Sequence, residues 1–234
     1  MSKTAKAVGA IVVLSVLLAS CQAFFTTSWA APLARDSYEL PADLTMDQAA
    51  QLLADHPEDP ALAEALVPIL TDAAADETPG TAAYDEAAGL LVDAVVQSSE
   101  VGGAITEMVA SIPADGNVTL EEMEAIYLEF LDTVSLTADE QAALPGLATN
   151  PPSDMEAEEA YALAVALLAE AAQAAGITDL DNITPAEQAI LDADPNYALA
   201  FDFLDLGTTL QGGETSMIGD LLGGLAGNFT DPTP

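Results

Sequence analysis

The chain of 234 residues carries 39 Asp and Glu against 3 Lys and Arg, a formal charge of −36 at pH 7. A surface this acidic repels phosphate groups, which excludes nucleic acid and anionic lipid headgroups as partners of the folded domain. Hydrophobic residues make up 51% of the sequence, enough to bury a core, so the composition also excludes an intrinsically disordered protein.

Residues 1–20 have the organisation of a secretory signal peptide. Lys3 and Lys6 precede an apolar run from Ala7 to Leu18, which is shorter than the about 20 residues that a membrane-spanning helix needs. The run ends in Leu18-Ala19-Ser20-Cys21, which resembles the lipobox of bacterial lipoproteins. The resemblance implies that cleavage makes Cys21 the first residue and that its thiol carries a lipid, whose acyl chains anchor the protein to a membrane.

Two other interpretations of Cys21 remain open. An ordinary signal peptidase would cut after Ala30 and release a secreted or periplasmic protein, or Cys21 is a core thiol of a cytosolic helix. Lipidation instead predicts a place in the cell envelope. In a cell with two membranes it favours the outer one, because Gln22 stands where retained lipoproteins commonly carry aspartate. A single cysteine allows no disulfide within the chain, so stability must come from packing.

The sequence after the signal divides into three regions. Residues 21–44 predict a flexible tether, with an uncharged aromatic segment from Phe24 to Trp29. Residues 45–206 predict a single acidic helical domain. Residues 207–234 are punctuated by glycine and predict a mobile tail, or else a strap packed over the helices.

Helix-start signals recur through residues 45–206. In a capping box, a Ser or Thr hydroxyl accepts from a free backbone N–H and a Glu or Gln three residues later reaches back. Asp59-Pro60 and Asp194-Pro195 add a capping residue followed by proline at the first helical position. With the helical spacing of apolar residues, these signals predict an all-α bundle of roughly eight to nine short helices. The boxes are Thr45/Gln48, Thr119/Glu122, Thr137/Glu140, Ser153/Glu156 and Thr184/Glu187.

A weak internal similarity predicts two related helix-loop-helix units. The segment from Ala114 to Ile126 aligns with that from Leu180 to Leu191 as Asn, an aliphatic residue, Thr and a later Glu. Each follows a long alanine-rich apolar stretch. No fixed period of about 34 residues runs through the chain, which disfavours a solenoid of tetratricopeptide type.

The segment from Val109 to Leu144 holds the one motif with candidate chemistry: Ala-Asp-Gly, a β-branched residue and Thr-x-x-Glu before an amphipathic helix. This order is similar to the turn of TerB-like domains, which are all-helical and carry metal-associated acids around the turn. The resemblance implies a site for Ca²⁺ or Mg²⁺. The matching residues are Asp115, Gly116, Val118, Thr119, Glu121 and Glu122, and the candidate ligands are Asp115, Asn117, Glu121 and Glu122.

The same stretch resembles the second half of an EF-hand loop, with Gly116 at the bend and Glu122 at the bidentate end. The first half departs from that pattern, because Ser111 and Pro113 stand where carboxylates are expected and calcium takes about 6–8 oxygens. A purely structural role also explains these residues, since Asp-Gly forms a tight turn and Thr119 caps the next helix.

The near-absence of basic residues suggests two origins for the charge. Many short acids, many alanines and almost no lysine resemble proteins of salt-loving bacteria, in which molar salt screens the repulsion between carboxylates. The alternative is an acidic surface for calcium or for a basic partner. The charge alone is compatible with both.

The sequence after Cys21 holds a single histidine, His56, no lysine and no second cysteine. It therefore offers no Ser-His-Asp or Cys-His set and no histidine-based metal centre. His56 precedes Pro57, which predicts an exposed residue at a helix end. We predict a non-enzyme without an organic cofactor: a lipid-anchored structural or interaction module that contacts another envelope protein. The alternative is a divalent-cation-binding protein, and a carboxylate-based hydrolase comes third.

Overall fold

The computed structural model describes residues 38, 40–41, 44–111, 120–180, 182–212 and 229, without the side chains of Val109, Leu120 and Glu121. The chain divides into two units, residues 1–41 and 42–234, and every described helix lies in the second. The described residues form nine helices and no strand, which confirms the predicted all-α class. The helices are α1 (Met46–Asp55), α2 (Pro60–Asp76), α3 (Ala82–Ser98), α4 (Val101–Ser111), α5 (Leu120–Thr133), α6 (Ala138–Thr149), α7 (Ala157–Ala175), α8 (Pro185–Leu191) and α9 (Pro195–Gln211).

Most of the helix starts follow from local sequence. Thr45, Thr137 and Thr184 each form the predicted capping box at the starts of α1, α6 and α8. Asp59 and Asp194 accept from backbone N–H groups at the starts of α2 and α9, with proline in the first turn. These bonds satisfy donors that the first helical turn leaves unpaired, so the cap residues set where the helices begin.

The predicted box Ser153/Glu156 is wrong. The Ser153 backbone N–H and hydroxyl donate instead to the Asp85 carboxylate, at 3.3 and 2.5 Å, which ties the connection before α7 to α3. Helix α7 begins after Glu156, whose N–H donates to Glu159 Oε2 at 2.7 Å. A tertiary contact thus replaces the local cap.

Helix α7 is the centre of the bundle. The sequence predicts an apolar stripe through Tyr161, Val165 and Leu168, but from Ala160 to Ala172 every side chain except that of Glu170 is buried, so the helix is enclosed on all sides. A helix that is apolar all round belongs in a core. It packs most extensively against α9, and α2 and α3 form the second closely packed pair.

The end of the bundle lies beyond the predicted boundary. Helix α9 runs past Leu206, where we predicted the helical domain to end, and stops at Gln211 because Gly212 adopts the left-handed φ of 63°. Phe229, in the predicted tail, is 6% exposed, and its ring lies 6.2 Å from that of Tyr197. At this residue the chain therefore contacts the first turn of α9.

Candidate functional site

Two neighbouring depressions flank α3. The first, here called the alanine groove, lies between α2, α3 and α6 and has a volume of about 300 Å³. Small or apolar residues make most of its wall: Ala74, Ala75, Leu91, Ala142, Ala143 and Leu147. This volume is at the lower end of the about 300–1,000 Å³ of ligand pockets, so it suits one or two side chains of a partner.

The groove combines a packed floor with accessible walls. Leu91 and Leu147 are each 2% exposed and belong to the core, whereas Ala75, Ala142 and Gly146 are exposed. A carbon placed as a side chain on Gly146 would meet no atom within 4 Å, so space is open above this wall. Short side chains on facing helices therefore let a partner approach the floor of the groove.

The second depression, here called the acidic pocket, lies between α3 and the start of α7, beside Ala50 of α1. Its volume is about 250 Å³, and Gly89 and Leu90 of α3 are among the residues that line it. Asp154 Oδ1 lies 3.6 Å from where a side-chain carbon of Gly89 would be, so the missing side chain brings the carboxylate close to α3. The acids that line it are Asp85, Glu86, Asp93, Asp154 and Glu159.

Two of these acids hold their protons more tightly than usual. The pKa of Asp93 lies above its ordinary 3.8, first because neighbouring atoms withdraw the carboxyl from water and second because Asp154 is negative, although much of the residue remains exposed. The pKa of Glu159 lies above 4.5, chiefly through loss of water and also through nearby carboxylates, against the opposing hydrogen bond from the Glu156 N–H. Loss of water, together with the crowding of like charge, thus makes full ionisation of the pocket unfavourable.

The described part of the chain offers these carboxylates no strongly basic partner. Lys3, Lys6 and Arg35 are the only Lys and Arg of the sequence, and all three precede residue 38. His56 is the C-cap of α1, where its carbonyl accepts from the Gln97 side chain at 2.5 Å, and it is half-buried instead of exposed as predicted. Within the part of the chain that the structure describes, no Lys or Arg supplies a counter-charge for the pocket.

A ridge separates the groove from the pocket. It is formed by Tyr84 and Asp85 of α3 together with the connection between α6 and α7, and hydrogen bonds join its two sides. Tyr84 lines the groove and donates its hydroxyl to the Asn150 carbonyl at 2.5 Å. The next residue, Asp85, lines the pocket and accepts from Ser153. Both bonds join α3 to the connection between α6 and α7, so the two depressions keep a defined spacing.

Of the predicted site residues, the structure describes only Glu121 and Glu122. Cys21, Asp115 and Asn117 fall outside the described residues. Glu121 and Glu122 lie in α5, where Glu122 is exposed. Among the residues that the structure describes, no group of three or more His, Cys, Asp or Glu converges as metal ligands would, and no helix is long and apolar enough to cross a membrane.

Sequence reasoning missed both depressions. Their residues come from α1, α2, α3, α6 and the start of α7, and no local motif connects these segments. The only advance signal is the spacing of Asp85, Glu86 and Asp93 in α3, which places the three acids on one side of the helix. Comparison of the chain with protein-family models, with curated proteins and with solved structures found no match.

Proposed function

We propose that this chain is a non-catalytic interaction module of the cell envelope, exported and lipid-anchored through Cys21, which binds another envelope protein at the alanine groove. The observation that carries the proposal is the open apolar groove beside exposed Ala75, Ala142 and Gly146. Accessible apolar surface rimmed by polar groups is typical of protein-binding sites. The lipobox-like end of the signal peptide supports export and anchoring.

The residue content supports a binding role over a catalytic one. The only imidazole after Cys21 belongs to His56, whose backbone closes α1, and the groups with nucleophilic or basic character that line the groove are Thr71, Tyr84 and the exposed Glu77. Such a surface supplies contact area and shape.

Site-specific crosslinking in the source organism tests the docking surface. A photoreactive residue at position 75 should crosslink to a protein of defined mass. The substitution Ala142→Gln on the opposite wall should abolish the adduct, because a longer polar side chain occupies the groove. The matched control Ala125→Gln, an exposed alanine of α5 outside the groove, should leave the adduct unchanged. An adduct that survives Ala142→Gln would refute docking in the groove.

Mass spectrometry of the mature protein tests the anchor separately. The proposal expects an N-terminal Cys21 with added acyl mass, lost in Cys21→Ser. A mature chain that starts at Ala31, or one that keeps Met1, would remove the anchor from the proposal and leave the groove to be judged by crosslinking.

A further inference from the structure

The alanine groove and the acidic pocket form one composite surface. Tyr84 and Asp85 are consecutive in α3 and face opposite sides of the ridge. On the other side of the ridge, Asn150 lines the groove and Asp154 lines the pocket. A partner segment seated in the groove therefore lies next to the pocket as well.

The charge of the pocket restricts what such a partner presents. Asp85, Glu86, Asp93, Asp154 and Glu159 have no Lys or Arg in the described part of the chain to pair with. Loss of water chiefly raises the pKa of Asp93 and Glu159, and the repulsion from nearby carboxylates, which adds to it, is relieved when a cation approaches. A lysine or arginine side chain from outside supplies that cation with hydrogen-bond donors for the carboxylates.

Other candidate occupants of the groove agree less well with the negative charge of the neighbouring pocket. A second copy of this chain would bring the same excess of acid to the interface, and like charges facing each other oppose association. An anionic lipid surface would be repelled for the same reason. A neutral apolar ligand would occupy the groove but would leave the neighbouring carboxylates without a counter-charge.

We infer that the partner segment is a basic amphipathic helix, which places an apolar side chain in the alanine groove and a lysine or arginine in the acidic pocket across the ridge. This inference rests on the proposed function, since it names the chemistry of the partner at the same surface. Helices bound in grooves commonly present such anchors one or two turns apart. The ridge keeps the two anchor positions at one spacing.

Peptide binding measured by fluorescence anisotropy tests the inference. The probe is a labelled synthetic helix of about 18 residues with leucine on one face and lysine on the other, long enough to be helical. Two comparison peptides carry glutamate in place of lysine, or glutamine in place of leucine. The lysine–leucine peptide alone should bind tightly at about 0.15 M salt, where unspecific attraction beyond about 8 Å is screened.

Two pairs of substitutions that remove the same charge distinguish the contribution of the pocket to peptide affinity from that of the general acidity of the protein. Asp93→Asn with Glu159→Gln should weaken binding of the lysine–leucine peptide at least about tenfold, as expected when close charge pairs are lost from an interface. The control pair Glu64→Gln with Asp132→Asn removes the same charge from exposed positions outside both depressions and should change the affinity less than about twofold. Thermal melts of all variants check that each is folded.

The outcomes distinguish the two proposals. If Ala142→Gln weakens peptide binding and the Asp93/Glu159 pair does not, the groove function stands and the basic-partner inference is overturned. If both charge pairs weaken binding equally, the attraction is unspecific, which also overturns it. If Ala142→Gln has no effect on the peptide or on the crosslink at position 75, the proposed function itself fails.

Discussion

The contact between α7 and α9 leads to the sharpest stability prediction. Gly207 of α9 lies against the ring of Tyr161 in α7, and an added side-chain carbon would be 2.8 Å from Cε1 and 2.9 Å from Cδ1 of that ring. Tyr161 is 5% exposed, and its hydroxyl donates to Gln211 Oε1 at 2.7 Å, so the ring is confined. The structure therefore leaves no room for alanine at position 207.

Gly207→Ala should lower the free energy of unfolding. Overpacking a close contact costs about 1–3 kcal/mol, while replacing glycine inside a helix by alanine recovers about 1 kcal/mol. The net loss should reach about 2 kcal/mol. The control Gly146→Ala meets no atom within 4 Å and should gain up to about 1 kcal/mol from the same change in helix propensity.

Urea unfolding followed by circular dichroism, in molar salt, measures both variants. A double-mutant cycle with Tyr161→Leu identifies the ring as the cause, since Gly207→Ala should cost less once the ring is gone. If Gly207→Ala is as stable as Gly146→Ala, the close approach of α7 and α9 is refuted. The same conclusion follows if Tyr161→Leu leaves the cost of Gly207→Ala unchanged.

Three further predictions concern charge and backbone strain. The folded-state pKa values of Asp93 and Glu159 are raised, so their protonated forms favour folding. This contribution is complete below the unfolded-state pKa values, about 4, and is lost as pH rises through the raised values. Asp93→Asn should therefore reduce the gain in melting temperature on going from pH 7 to pH 4. Glu140 is 1% exposed: Oε2 accepts from the Thr137 N–H, while Oε1 has no hydrogen-bond partner within the described part of the chain. Glu140→Gln keeps a side-chain oxygen that can accept from the Thr137 N–H and places no charge in the core, so this variant should be at least as stable in urea as the unmodified protein. Glu140→Ala removes the acceptor and should lower the free energy of unfolding by about 1 kcal/mol. Glu100, at φ 57°, is the one non-glycine residue with positive φ among the described residues, so Glu100→Gly should raise the free energy of unfolding by up to about 1 kcal/mol, and an unchanged urea midpoint would contradict this strain.

Some features of the site could be expected from the sequence, and others could not. The alanine-rich content and the excess of acid are visible in the composition. The pairing of Asp85 with Ser153, and the meeting of Asp93 with Asp154, join positions far apart in the chain. The pattern Ser153-x-x-Glu156 predicts a local cap, because a sequence pattern compares only residues that are close together in the chain.

The sequence by itself determined where most helices begin. Thr45, Thr137 and Thr184 act within one turn of their own backbone, and a proline after Asp59 acts equally locally, so their effects do not depend on the rest of the fold. Tertiary structure alone decided that α7 is enclosed on all sides, that Gly207 continues α9, and that groove and pocket share a ridge. These features depend on which helix faces meet, and many helix arrangements bury the same apolar residues, so only the packed chain selects one.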